Sequence, residues 1–131
     1  WAVDLDAAPF NGWRALREEK ERGSAWQLVG LEVDWEALES LYAAEGLPPQ
    51  VPSTAWRGSA PVYEGRRQVG YATSGAWSPL LKRYVALAHL PAGHARAGTR
   101  LAMELTVERR RQKAAARVVN LPFLDPGRRR A

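Results

Sequence analysis

From residue 60 onward the chain runs in short alternating segments, broken by glycine, proline and runs of charge. That rhythm constrains the fold more than any other feature of the sequence. Its clearest stretch sets Leu101, Met103, Leu105 and Val107 against Ala102, Glu104, Thr106 and Glu108. A period of two sends one set of side chains to a core and the other to solvent, which is the signature of a half-buried strand. The same reading places strands over 60–63 and 66–73, joined by the two-residue hairpin signal Glu64-Gly65. Ser74 to Leu81 reads as a turn segment with Gly75 and Pro79 as breakers. Strands follow over 82–90, 101–108 and 112–121, separated by a glycine-containing break over 91–99 and a turn at Arg109-Arg110-Arg111.

The first sixty residues carry a different pattern. Residues 1–10 read as irregular. Asn11 is placed to cap a helix from Gly12 to Arg22, and Gly23 to stop it. Trp26 to Val33 reads as a strand burying Val29, Leu31 and Val33. Asp34 then caps a helix over 35–45 whose apolar stripe is Trp35, Leu38, Leu41 and Tyr42. Gly46 and Pro48-Pro49 end it, and 46–59 reads as a long loop. Six antiparallel strands with short connections close best as a small barrel. The expected fold is therefore mostly β: a six-stranded antiparallel Greek-key or jelly-roll barrel, with an N-terminal helix and a helical insertion after the first strand. Residues 1–24 form a lead-in segment and helix, and residues 25–131 the barrel.

With 131 residues and no cysteine, the chain suits one such domain and excludes disulfides, thiolate metal sites and a cysteine nucleophile. No apolar run is long enough to span a membrane, and the start, Trp1-Ala2-Val3-Asp4, is acidic and unlike a signal peptide. A cytoplasmic location is the expectation. Charge is split: residues 1–50 hold four Lys/Arg and ten Asp/Glu, residues 51–131 fifteen Lys/Arg and four Asp/Glu. A basic half can mark an anionic partner, or simply the solvated face of a sheet beside an acidic helical flank. In a nucleic-acid-binding barrel Tyr63, Tyr71 and Tyr84 would stack bases while Arg66, Arg67, Arg83, Arg96 and Arg100 met phosphates. The aromatics do not interleave with the arginines at strand spacing, so nucleic acid is the lesser reading. Catalytic machinery is sparse. His89 and His94 lie on different elements without a carboxylate at ligand spacing, and no serine sits in a nucleophile-elbow pattern. The basic half has too few carboxylates for an acid/base pair. These residues suit a domain that binds or shapes.

The run Val69-Gly70-Tyr71-Ala72-Thr73-Ser74-Gly75-Ala76-Trp77-Ser78-Pro79 narrows the field. It resembles a segment of the C-terminal barrel of the glycine cleavage T-protein family of aminomethyltransferases, which includes folate-dependent demethylase relatives. Other pieces agree in order: Phe10-Asn11-Gly12 with Ala15-Leu16, Leu28 to Val33, Ala86-Leu87-Ala88, Ala97-Gly98-Thr99, and Val118-Val119 with Pro122-Phe123. In the motif, Gly70 permits close backbone approach, Thr73 and Ser74 hydrogen-bond a tight turn, Gly75 supplies a permissive φ, and Pro79 stops the segment.

The resemblance implies tetrahydrofolate as the one-carbon acceptor, held mainly by N-terminal domains absent from this chain, with the barrel as one wall of the cavity. It implies an aminomethyl donor carried on a lipoyl H-protein or, in the demethylase relatives, a methyl donor. The catalytic aspartate of the family lies in the missing part, so this segment alone is expected to be inactive. Its partners would be the remainder of the parent chain and a carrier protein for which the barrel could be a docking module. Trp77 could pack on the pterin or under the turn. Arg128 and Arg129 could meet the carboxylates of the glutamate tail, or form only a basic end. Tyr71 is a further candidate contact. The 35–45 helix and the proline-rich loop look like an insertion relative to compact members.

Overall fold

The computed structural model describes residues 3–124. Six strands close an antiparallel barrel in the order β1-β4-β3-β2-β5-β6. They are β1 (Trp26–Val33), β2 (Trp56–Glu64), β3 (Arg67–Ser78), β4 (Arg83–Pro91), β5 (Arg100–Val107) and β6 (Arg110–Val119). Strands β2, β3 and β4 follow one another by hairpins, and β1 returns to lie beside β4, which is the Greek-key arrangement. Helix α1 (Trp13–Arg22) precedes the barrel and α2 (Trp35–Ala43) is inserted after β1.

The alternation read from sequence fills the interior. Leu31, Val62, Leu90, Met103, Val107 and Val118 are fully buried. Helix α2 adds Leu38 and Tyr42 to this core and lies against β6. Its N-terminus is held as its sequence dictates: the Asp34 carboxylate accepts the Ala37 N–H at 2.8 Å, and the Asp34 N–H donates to the Ala115 carbonyl at 2.8 Å. Helix α1 buries no residue.

Several boundaries differ from expectation, each for a local reason. Asn11 does not cap α1: Gly12 takes that position with φ 94°, and no side chain closes the end. The β2–β3 turn is Gly65-Arg66, because Glu64 is already paired with Arg67. The β5–β6 turn is Glu108-Arg109, both at positive φ, so Arg110 and Arg111 belong to β6. The largest correction concerns Ser74 to Leu81. Strand β3 passes straight through to Ser78, because a bulge at Thr73 takes up one residue between Ala72 and Ser74. Thr73 therefore belongs to no tight turn; its hydroxyl donates across the sheet to the Leu87 carbonyl at 3.4 Å.

Gly70 and Gly75 are both explained by close approach. A Cβ on Gly70 would collide with the His89 carbonyl oxygen, and one on Gly75 would lie 2.8 Å from the Trp56 indole. Gly75 is not among the positive-φ glycines, so its role is space, not a special backbone angle.

Candidate functional site

The barrel closes unevenly. Strand β2 pairs with β3 from Trp56 to Glu64, but with β5 at only two positions, Val62 with Met103 and Tyr63 with Ala102. Register shifts in β2 between Arg57 and Ala60 and between Val62 and Tyr63 bend its first half away from β5. Between the diverging strands lies a cleft of about 340 Å³.

Its floor is aromatic and soft: Tyr42, Trp56, Tyr84 and Met103, with Ser59, Glu104 and Thr106 toward the rim. The floor is fixed by its own hydrogen bonds. Trp56 Nε1 donates to the Tyr84 hydroxyl at 2.7 Å, and the Tyr42 hydroxyl donates to the Gln50 carbonyl at 2.9 Å. The second bond, with Trp77 N–H donating to the Pro52 carbonyl at 2.8 Å, folds the loop after α2 over this side of the barrel. Burial pushes the Tyr84 phenol above its ordinary range, so it is neutral near physiological pH.

The lining contains one carboxylate, Glu104, and no histidine, lysine or arginine. Glu104 is already engaged: it accepts the Tyr63 hydroxyl at 3.0 Å and faces Arg111 at 3.8 Å. That hydrogen bond to a carboxylate holds the Tyr63 phenol above its ordinary range. Among the described residues no cluster of His, Asp and Glu is arranged to hold a metal ion. The cleft can shape and bind; its Ser59 and Thr106 hydroxyls have no histidine or lysine beside them in the lining, and Glu104 has no second carboxylate to pair with.

The candidates named from sequence are not gathered at one place. Trp77 faces inward, partly buried against the core, with its ring 5.0 Å from that of Trp35 on α2. Tyr71 points outward from the same strand, stacked on His89 at 5.5 Å and near Trp26 at 6.3 Å. One small ligand would not touch both. Arg128 and Arg129 lie outside the described residues. The three tyrosines of the nucleic-acid reading also separate: Tyr84 is buried, Tyr71 is on one outer face, and Tyr63 lies under the Lys113 ammonium at 3.6 Å. They form no stacking platform. His94 Nε2 lies 3.3 Å from Glu64, on a different element from His89. Sequence reasoning did not assign Trp56, Tyr42, Met103 and Glu104 to a site. The available signal was a tryptophan ending a proline-rich loop and a glycine in β3 that must yield to it.

This geometry is that of a known domain. A family model described as the glycine cleavage T-protein C-terminal barrel domain matches residues 45–125. The chain belongs to that family. It is 34% identical over 127 residues to the aminomethyltransferase of Halalkalibacterium halodurans, covering 97% of this chain and 29% of that one. It is 35% identical over 124 residues to the aminomethyltransferase of Prochlorococcus marinus, covering 94% and 28%. Among solved structures, the glycine cleavage system aminomethyltransferase T from Bartonella henselae superposes with a TM-score of 0.62 at 25% identity, covering 92% of this chain and 28% of that one. The T-protein barrel described here thus spans under a third of the length of these relatives. The family match begins after both β1 and α2 and takes in the proline-rich loop, while the alignments with the aminomethyltransferases cover 94–97% of the chain and so run across α2 as well; the loop and helix expected to be an insertion are not set apart from these relatives. Among the described residues no helix is long and apolar enough to cross a membrane.

Proposed function

We propose that this chain is the C-terminal barrel of a longer, tetrahydrofolate-dependent one-carbon transferase, and that it forms one wall of the folate cavity. The observation that carries the reading is the agreement of almost the whole chain with aminomethyltransferases of which it covers under a third. The division of labour follows from the residues. The barrel offers apolar and aromatic surface, and among its described residues it assembles no catalytic set. The chemistry of the transfer therefore belongs to the remainder of the parent.

The residues present fit a partial site. A cleft of about 340 Å³ is at the small end of the roughly 300–1,000 Å³ that ligand pockets occupy, enough for part of a folate. Aromatic walls suit a flat heterocycle, and when bound the folate would supply the nitrogen that accepts the one-carbon unit. In this proposal Trp77 presents apolar surface toward the pterin side, and Arg128 and Arg129 meet the glutamate-tail carboxylates. Residues 1–24 are the lead-in from the preceding part of the parent, the compartment is the cytoplasm, and a lipoyl carrier is the donor partner if the transferred group is aminomethyl.

Calorimetric titration of tetrahydrofolate into the longer protein, with the 131-residue chain in parallel, tests this. Tight binding by the former and feeble binding by the latter is the expected result. No binding by the longer protein refutes the reading.

A further inference from the structure

The exterior of the barrel divides into a charged side and a side largely without charge. Its outer face around β1, β6 and β5 carries Glu32 held between Arg83 and Arg117, Arg100 opposite Arg117, and Glu104 opposite Lys113. Across β1, β4, β3 and β2, by contrast, one outward-facing row reads Leu28, His89, Tyr71, Pro61, each directly opposite the next. None is Asp, Glu, Lys or Arg. Trp26 lies opposite Pro91 at the end of this row, and its ring is near that of Tyr71. Exposure is high for such side chains: Trp26 51%, Leu28 39%, Tyr71 38%. An antiparallel sheet with one solvated face normally turns polar residues outward. A contiguous aromatic band there marks a surface that is covered in use.

We infer that this band is an intramolecular interface, covered by the remainder of the longer transferase chain. The inference rests on the proposed function, and three observations point to that occupant. The relatives are more than three times longer than the part matched here, so most of the polypeptide is available to cover it. The band begins at Trp26, with three residues between it and the end of α1 at Arg22, so whatever packs on α1 lies beside it. The lead-in is itself unpartnered: α1 buries nothing, and Val3, Phe10 and Leu16 are 50%, 42% and 38% exposed. Two apolar surfaces joined by the short link Gly23-Ser24-Ala25 suit one covering body.

Hydroxyl-radical labelling of the intact longer protein reads this directly. The labelling of each residue is compared between the native and the urea-unfolded protein. Withdrawal into the class over 95% buried lowers labelling of Trp26 and Tyr71 about twentyfold, against about two- to threefold if they stay 51% and 38% exposed as in the barrel. Leu80, 74% exposed, serves as the unprotected reference. Protection of about threefold or less overturns the inference, and so does protection that grows with protein concentration, which would assign the band to a second copy. A tetrahydrofolate titration on the same preparation keeps the two readings apart. Binding without protection refutes only the interface, and protection without binding refutes only the folate function.

Discussion

Replacing Gly75 by alanine tests whether the motif glycine serves packing at the cleft floor. A methyl group there would lie 2.8 Å from Trp56 Cζ2 and Nε1 and 2.9 Å from Cε2, so the indole must move. Moving it strains the bond from Trp56 Nε1 to the Tyr84 hydroxyl, now 2.7 Å. Overpacking a core costs about 1–3 kcal/mol and a lost hydrogen bond about 0.5–1.5 kcal/mol, so Gly75→Ala should destabilise by roughly 2–4 kcal/mol. For 131 residues, with an unfolding entropy of about 2.1 cal/mol/K per residue, that lowers Tm by roughly 7–15 °C. Urea unfolding gives the energy, and a double-mutant cycle gives the cause. In a Trp56→Ala background the obstacle is absent, and Gly75→Ala should cost nothing or stabilise slightly. Gly70 is the contrast. Its Cβ would meet the His89 backbone oxygen, which cannot step aside, so trimming Leu90 to alanine should leave the Gly70→Ala penalty in place. An equal Gly75→Ala penalty with and without the Trp56 indole would refute this account.

Asp34→Ala should cost about 1 kcal/mol in urea unfolding, as other lost N-caps do, and Asp34→Asn should recover most of it; equal losses would mean the carboxylate bond to Ala37 is not what counts. Glu32→Gln should cost under about 1 kcal/mol despite removing both arginine contacts, because Arg83 and Arg117 are half exposed and salt screens them; a larger loss, unchanged by added salt, would sink that view. Tyr63 and Tyr84 both titrate above the ordinary phenol value of 10.0, Tyr63 chiefly through its bond to Glu104 and Tyr84 chiefly through burial. The native state thus keeps protons that the unfolded chain releases, so their stabilisation is complete below that value and is lost as pH rises through the higher folded values. Urea midpoints followed upward from about pH 9 should fall, less steeply in Tyr63→Phe, and a flat profile would contradict both shifts.

Much of the barrel is legible because burial and backbone period coincide. Leu101, Met103 and Val107 announce β5, and Asp34 announces α2, because in each case a local pattern and its tertiary use agree. The reading of Ser74 to Leu81 failed because glycine has two uses. The sequence can show that Gly75 tolerates an unusual φ, but the real reason is the Trp56 indole, which arrives from a strand nineteen residues earlier. Glu108 and Arg109 misled in the opposite direction: neither is a residue typical of positive φ, yet the hairpin geometry demands it of both. The cleft was illegible for a further reason. It is made by strands that fail to pair, and no alternation pattern records where β2 leaves β5. Trp77 and Tyr71 share a strand and a motif, and only the bulge and the pleat decide that one faces in and the other out.

The seam between β2 and β5 joins these threads. A barrel held by two paired positions along one edge should open there, yet the outside of this seam is laced by side chains. Tyr63 of β2 donates to Glu104 of β5, Glu104 faces Arg111 of β6, and Lys113 of β6 lies over the Tyr63 ring and reaches the Gly65 carbonyl at 3.4 Å. These contacts sit beside the two backbone pairs, so they close the lower half of the seam and leave the upper half free to form the cleft. Apart from the half-buried Tyr63–Glu104 bond they are exposed and individually weak; together they bridge three strands where backbone hydrogen bonds are missing. Glu104 is the common member, lining the cleft on one side of β5's edge and anchoring the lacing on the other. Glu104→Ala should therefore act beyond its own small energy. It should raise amide hydrogen exchange across 56–63 and 102–107 while leaving β1 and β4 protected, because opening spreads along the edge with fewest pairs. Uniform exchange changes over all six strands would mean that the seam is no weaker than the rest of the barrel, and the cleft would then be a fixed feature of the fold and not the place where it yields.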